Sequence, residues 1–212
     1  MLFLIKSATN FEIFRETLTE NGMGEQAEDF LMASGKLQVL CYKAEIEAAL
    51  RTPGFGGFEI LQLHDFPGQG TALVGVLDAF WEEKGYISPK EYSRFCNSTV
   101  PLARLKKCIF TSDETFEASI EVSHYGDLPL RSCKPEWKIT DTQGKIVKSG
   151  KLKSTDIALG NCITLGNISF ALSNITTPQQ LKLEVSVNAF SNSWDFWVYP
   201  ISKNVNADSE KI

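Results

Sequence analysis

The sequence predicts an α+β protein, with a mostly helical N-terminal segment followed by an immunoglobulin-like β-sandwich. Three observations carry that expectation. Apolar residues recur at helical spacing before about residue 100 and alternate with period two after it. Helix-start signals stand at "TNFE" (9–12) and "SPKE" (88–91). The second part holds about seven short alternating runs parted by turn residues, which is the layout of a sandwich. The organisation expected is a helical segment with one strand over 1–98, a connection over 99–107, the sandwich over 108–200 and a polar tail over 201–212.

Each element has its own local reason. Thr9 and Glu12 form a capping box that opens a first helix, with Phe11, Ile13, Phe14 and Leu18 as its apolar face and Asn21-Gly22 as its stop. A second helix is predicted over 25–51. Leu37, Leu40, Cys41, Ala44 and Ala48 form its stripe, Gly35 weakens its middle, and Pro53-Gly54 end it. Residues 58–66 read as a strand, with Leu61 and Leu63 on one face and Gln62 and His64 on the other. After "PGQG" a helix is expected over 71–84, with Leu73, Val76, Leu77 and Phe80 on one side. Ser88, Pro89 and Glu91 open a short last helix. "TVPLARLKK" (99–107), with its proline and basic residues, reads as an exposed connection.

Beyond it, Phe116, Ala118, Ile120 and Val122 alternate with polar residues. "EWKITDTQGKIVKSG" reads as a hairpin turning at Gly144. "NCITLGNISFAL", "LKLEVSV" and the aromatic "SWDFWVYP" read as further strands. In the last of these, alternation puts Trp194, Phe196 and Val198 on the packed face, and Trp197 and Tyr199 on the other.

Composition excludes several classes. Net charge is −5 with no long run of like charge, so nucleic acid and anionic membrane surfaces are not expected partners. The apolar runs fall well short of the ~20 residues of a membrane-spanning helix. "MLFLIKSATN" has neither a basic residue before its apolar run nor a small-residue cleavage site, so no signal peptide is expected. Five cysteines without a C-x-x-C, and two histidines sixty residues apart, give no metal-ligand spacing. Gly68 and Gly70 are followed by Leu73, so the dinucleotide pattern is incomplete and no cofactor is expected.

The polar residues at the end of the 58–66 segment, Gln62, His64 and Asp65, with Gln69 in the following turn, are the candidate substrate-binding residues. Polar groups at a strand end can equally cap the backbone there. No nucleophile motif accompanies them, and Glu45/Glu47 and Glu82/Glu83 do not converge as an acid pair.

The stretch "AEDFLMASGKLQVLCYKAEIEAALRTPGFGGFEILQLHDFPGQGTALVGVLDAFWEEKGYISP" resembles the end of the catalytic barrel of glycoside hydrolase family 2-like enzymes of the Bacteroidetes type. The likeness runs on through "FCNSTVPLARLKK" to "NSWDFWVYP", and "GGFEILQLHDFPGQGTALVG" is its most specific block. The resemblance implies that 1–98 is the remnant of a (β/α)8 barrel, with 58–66 as its eighth strand. Gln62, His64, Asp65 and Gln69 would then edge a sugar pocket at the barrel mouth.

It also implies that the chain corresponds to a C-terminal portion of such an enzyme. No residue here matches either catalytic glutamate, so no catalytic residue is assigned and activity alone is not expected. The implied partner is an oligosaccharide or polysaccharide bound by the parent enzyme, itself periplasmic or secreted. Homo-oligomerisation through the exposed remnant is a further expectation. The rival reading is a stand-alone structural or carbohydrate-binding module, with exposed aromatics such as Trp197 and Tyr199 as its ligand contacts.

Overall fold

The computed structural model describes residues 9–66 and 73–201. The chain divides into two units, one of Met1–Ala49 and Gly56–Ser93 and one of Leu50–Phe55 and Arg94–Ile212. It is a mixed α+β protein, mostly β-sheet, with its long helices near the N-terminus.

The first unit is built on α1 (Thr9–Glu20) and α2 (Ala27–Leu50), with a 3-10 turn at Gly24–Gln26 between them. Gly22, in the left-handed region at φ +74°, ends α1. The Met23 N–H reaches the Leu18 carbonyl and the Gly22 N–H the Thr19 carbonyl, both at 3.0 Å, which satisfies two orphan carbonyls of the last turn. α2 runs unbroken through Gly35. A Cβ at Gly35 would sit 2.6 Å from Tyr86 Cε1, so glycine is the residue that lets that ring lie against the helix.

The packed face of α2 differs from the expected one. Gly35, Val39, Ile46 and Glu47 are buried, whereas Leu37 and Leu40 are about 60% exposed. With Phe30, Leu31, Cys41, Ala44 and Ala48 also exposed, the apolar stripe faces away from the unit's packing. The rings of Phe11 and Phe14 on α1 meet edge to face at 6.4 Å and are likewise exposed.

Two further expectations for this unit are corrected. Residues 58–66 form no strand: only an isolated parallel bridge joins His64 to Leu77, and Gln62 takes φ +71°. A strand needs a neighbour to satisfy its N–H and C=O groups, and one bridge is all the described residues offer. Of the helix expected over 71–84, residues 73–84 form none, and 71–72 lie outside the described residues. The Asp78 carboxylate instead accepts the Phe80 and Glu82 N–H groups at 2.8 and 2.9 Å, a local arrangement that competes with helix. The described residues of this unit thus show no barrel strand and no barrel helix after it. The short helix α3 (Pro89–Tyr92) does start on the expected box, with Ser88 Oγ accepting from the Glu91 N–H and Glu91 Oε2 from the Ser88 N–H.

Among the described residues the second unit carries ten strands: β1 (Thr99–Leu105), β2 (Ile109–Thr111), β3 (Thr115–His124), β4 (Leu130–Cys133), β5 (Glu136–Asp141), β6 (Ile146–Lys151), β7 (Thr155–Ile157), β8 (Gly160–Ala171), β9 (Gln179–Val187) and β10 (Phe190–Tyr199). A three-stranded sheet has the order β1-β3-β8 and a five-stranded sheet the order β2-β10-β9-β5-β6, with β4 and β7 paired apart. All pairs are antiparallel except β2 with β10.

Alternation places Phe116, Ile120 and Val122 of β3, Leu181, Leu183, Val185 and Val187 of β9, and Phe196 and Val198 of β10 in one core, each 1% exposed or less. The Phe116 ring meets Phe196 at 4.5 Å and Phe110 at 5.5 Å. A sandwich-like β domain fits this arrangement.

Residues 99–105, expected as an exposed connection, are instead the buried edge strand β1, with Val100 and Leu102 fully covered. Pro101 is tolerated because an edge strand leaves one side free of ladder bonds.

Candidate functional site

The expected site residues lie in a backbone crossing of the first unit. The Asp65 N–H reaches the Leu77 carbonyl at 3.0 Å and the Leu77 N–H the Leu63 carbonyl at 3.1 Å. These bonds draw residues 63–65 alongside 75–77. The approach is close enough that a Cβ on Gly75 would lie 2.5 Å from Asp65 N and 2.7 Å from His64 Cα, so only glycine fits there.

Asp65 is 5% exposed. Lys84 Nζ lies 2.8 Å from both of its carboxylate oxygens, and the Gly75 N–H donates to Oδ1 at 2.9 Å. The same ammonium donates to the Gly75 carbonyl at 2.8 Å. The Tyr86 hydroxyl is 3.1 Å from both that carbonyl and Gln38 Oε1. Gln38 Nε2 and the Tyr42 hydroxyl, from α2, donate to the Val74 carbonyl. Burial raises the Tyr86 pKa above its ordinary 10.0, and the Asp65 carboxylate and Tyr42 push it the same way.

His64 lies flat on Trp81, with ring centroids 4.3 Å apart and planes 21° apart. Trp81 is 60% exposed and held at φ +68°. Gln62 Oε1 is buried and has no hydrogen-bond partner among the described residues. Gln69 lies outside the described residues. Gln62, His64 and Asp65 therefore fall together, but each differently: Asp65 inside an ion pair, His64 on an aromatic face, Gln62 on a turn.

Sequence reasoning missed Lys84, Gly75, Tyr86 and Trp81. Gly75 carried a signal, as a further glycine after "PGQG", and so did Gly35, an unexplained gap in a helix that proves to seat Tyr86. Nothing in the spacing announces that Asp65 pairs with a lysine nineteen positions on.

The arrangement can hold a carboxylate, orient an imidazole and present an indole to solvent. Asp65 is not a free acid, since its oxygens serve Lys84 and Gly75. Among the described residues no group of three or more His, Cys, Asp or Glu could hold a metal. The second histidine, His124, is buried between Thr99 Oγ1 at 2.7 Å and the Leu128 carbonyl at 2.9 Å, a structural setting. In the sandwich, Trp137 stacks near Phe170 at 6.3 Å and Trp194 packs on the core. Trp197 and Tyr199 are 37% and 47% exposed, as alternation indicated.

A family model described as a domain of unknown function (DUF8488) matches residues 114–200, most of the sandwich. No curated protein matches the chain. Solved structures similar to it include glycoside hydrolases. The exo-chitosanase CsxA of Amycolatopsis orientalis aligns at 13% identity over 76% of this chain and 18% of that one, with a TM-score of 0.49. The β-glucuronidase of Parabacteroides merdae aligns at 16% identity over 48% and 13%, with a TM-score of 0.35. The alkylpurine DNA glycosylase AlkC of Pseudomonas fluorescens aligns at 16% identity over 48% and 30%, with a TM-score of 0.38. The chain thus spans less than a third of the length of each of these three proteins.

Proposed function

We propose that this chain is the C-terminal part of a family 2-like glycoside hydrolase, with 1–98 completing a catalytic barrel and 108–200 supporting it as a sandwich. The segment 99–107 leads from one to the other, with Thr99–Leu105 forming the sandwich's edge strand β1, and 201–212 is a tail. The observation that carries the reading is the exposed face of α2. Phe30, Leu37, Cys41, Ala44 and Ala48 form an apolar stripe on the side opposite the buried Val39 and Ile46. A helix that is apolar on both sides is one covered on both sides, as an outer helix of a barrel is by its neighbours. Joined to its missing strands, residues 58–66 would gain the ladder partners they lack here.

In that setting Gln62, His64, Asp65 and Gln69 edge the sugar pocket. Asp65, fixed by Lys84, anchors the backbone that presents His64, and His64 bonds a sugar hydroxyl. Hydrolysis needs a carboxylic acid to protonate the leaving oxygen and a second carboxylate to attack or stabilise the sugar, about 5–5.5 Å away in retaining enzymes. Asp65 is already paired and no second carboxylate joins it among the described residues, so on this reading both catalytic glutamates belong to the rest of the barrel.

Two measurements test the reading. The purified 212-residue chain should show no turnover on a panel of aryl β-glycosides. Turnover that vanishes in Asp65→Asn or His64→Ala would sink the proposal. The coding DNA upstream should continue in frame through a glutamate-bearing strand within about fifty residues, the size of one barrel unit. A promoter directly before Met1 would favour a stand-alone module.

A further inference from the structure

The outward face of the five-stranded sheet carries a second candidate site, independent of the barrel reading. The strand register sets its residues in rows. Trp197 stands beside Gln180 on one side and Ile109 on the other, and the next row is Asp195, Lys182 and Thr140. Rows two residues apart along a strand are about 7 Å apart. A groove of about 320 Å³ opens at the second row, lined by Thr140, Asp141, Thr142, Gln180, Lys182 and Asp195. Gln180 belongs to both the groove and the Trp197 row, so the indole stands at the groove's end.

We propose that this strip binds a neutral oligosaccharide. Trp197 stacks on one face of a pyranose ring, and Asp195, Lys182 and Gln180 bond the hydroxyls of that sugar and its neighbour. Three observations argue for it. Trp197 is 37% exposed on the solvent side of a sheet whose inward Leu181, Leu183, Phe196 and Val198 are buried, and Tyr199 and Ile109 extend its apolar ridge. A flat amphipathic ring in the open suits a ligand with one apolar and one polar edge.

Asp195 Oδ1 is buried yet has no hydrogen bond, because Lys182 Nζ stops 3.9 Å away. The two side chains, Lys182 51% and Asp195 39% exposed, offer a donor and an acceptor to sugar hydroxyls, and a modest turn of Asp195 frees its unpaired oxygen for one of them.

The face also lacks a strong field. Lys138 and Arg94 pair with Glu184, and Lys151 with Glu136, at 2.8 to 3.9 Å. A polyanion would find little to hold it, whereas a neutral polyhydroxylated chain meets alternating donors and acceptors.

Titrating the full chain with cellohexaose, xylohexaose and mannohexaose, followed by calorimetry and tryptophan fluorescence, tests the site. At least one should bind saturably at millimolar concentration or better. Trp197→Ala should weaken that binding about thirtyfold, as loss of a central aromatic anchor does. Trp197→Phe should keep part of it, and Asp195→Asn should weaken it about fivefold. Tyr125→Ala, an exposed aromatic of the same unit outside this strip, should change nothing. Circular dichroism melting shows whether each variant is folded. No saturable binding to any of the three, binding that survives Trp197→Ala, or binding lost only in Tyr125→Ala would overturn the proposal. So would sedimentation showing that Trp197→Ala dissociates a dimer, which would make this face a self-interface.

Discussion

Replacing Lys84 by Met removes the cation from a carboxylate that is almost wholly buried. The Asp65 side chain is 6% exposed and that of Lys84 22%. Breaking a buried pair by deleting one partner costs about 3–5 kcal/mol, because the remaining charge stays desolvated. Partial access of water to the lysine side puts the loss at the lower end of that range. The bond from Lys84 to the Gly75 carbonyl, ordinarily worth about 1 kcal/mol, goes as well. About 4 kcal/mol in all is nearly a thousandfold change in local opening at about 1.4 kcal/mol per tenfold.

Amide hydrogen exchange at Asp65, Gly75 and Leu77, whose N–H groups all bond within the crossing, reads that opening directly. Asp65→Asn in the Lys84→Met background removes the stranded charge and keeps an acceptor for the Gly75 N–H. The double variant should therefore recover most of the lost protection. Unchanged protection in Lys84→Met, or a double variant as open as the single one, would show that the ion pair does not hold the crossing together.

Two other outcomes are expected. Gly35→Ala puts a methyl 2.6 Å from Cε1 of Tyr86, and against Cδ1 as well, in a ring whose hydroxyl is tied to Gly75 and Gln38. Overpacking of about 1–3 kcal/mol should outweigh the ~1 kcal/mol gained in helix propensity and lower the 222 nm melting midpoint, which an unchanged midpoint would contradict. Because Tyr86 in the folded unit holds its proton above the usual pKa of 10.0, the unfolded chain loses that proton first. The stability this contributes is complete below pH 10 and disappears as pH rises through the folded value. Tyr86→Phe, though less stable at neutral pH, should show a flatter alkaline limb in a melting profile.

The sandwich was legible because its pattern reports its own packing. In β3, β9 and the end of β10 alternate residues are apolar, and Phe116, Ala118, Ile120, Val122, Leu181, Leu183, Val185, Val187, Phe196 and Val198 are all buried. The capping box at Ser88 and the hairpin turning at Gly144 are local chemistry and were equally readable. The first unit misled for a physical reason. Its apolar stripe on α2 and its alternation over 58–66 describe surfaces that nothing in the described residues covers, so a rule that reads apolar as buried points the wrong way. β1 was hidden because Pro101 and the basic residues after it mark an edge strand as readily as a connection. At the candidate site the sequence marked His64 and Asp65. Their partners are set by a backbone crossing that depends on long-range approach and not on spacing.

The parallel pairing of β2 with β10 has a consequence for how the molecule comes off the ribosome. The three-stranded sheet has all its strands once Ala171 is made, but the five-stranded sheet waits for β10, which ends at Tyr199 and slots between β2 and β9. At about 5–20 residues per second the interval is roughly 1–6 s. Through it the inward faces of Phe116 and Phe110 lack the Phe196 ring that closes over them. β2, three residues long, has no ladder partner among the described strands until then. The nascent sandwich therefore passes through a stage with an open aromatic seam, and the last of the described strands to be made is the one that seals it.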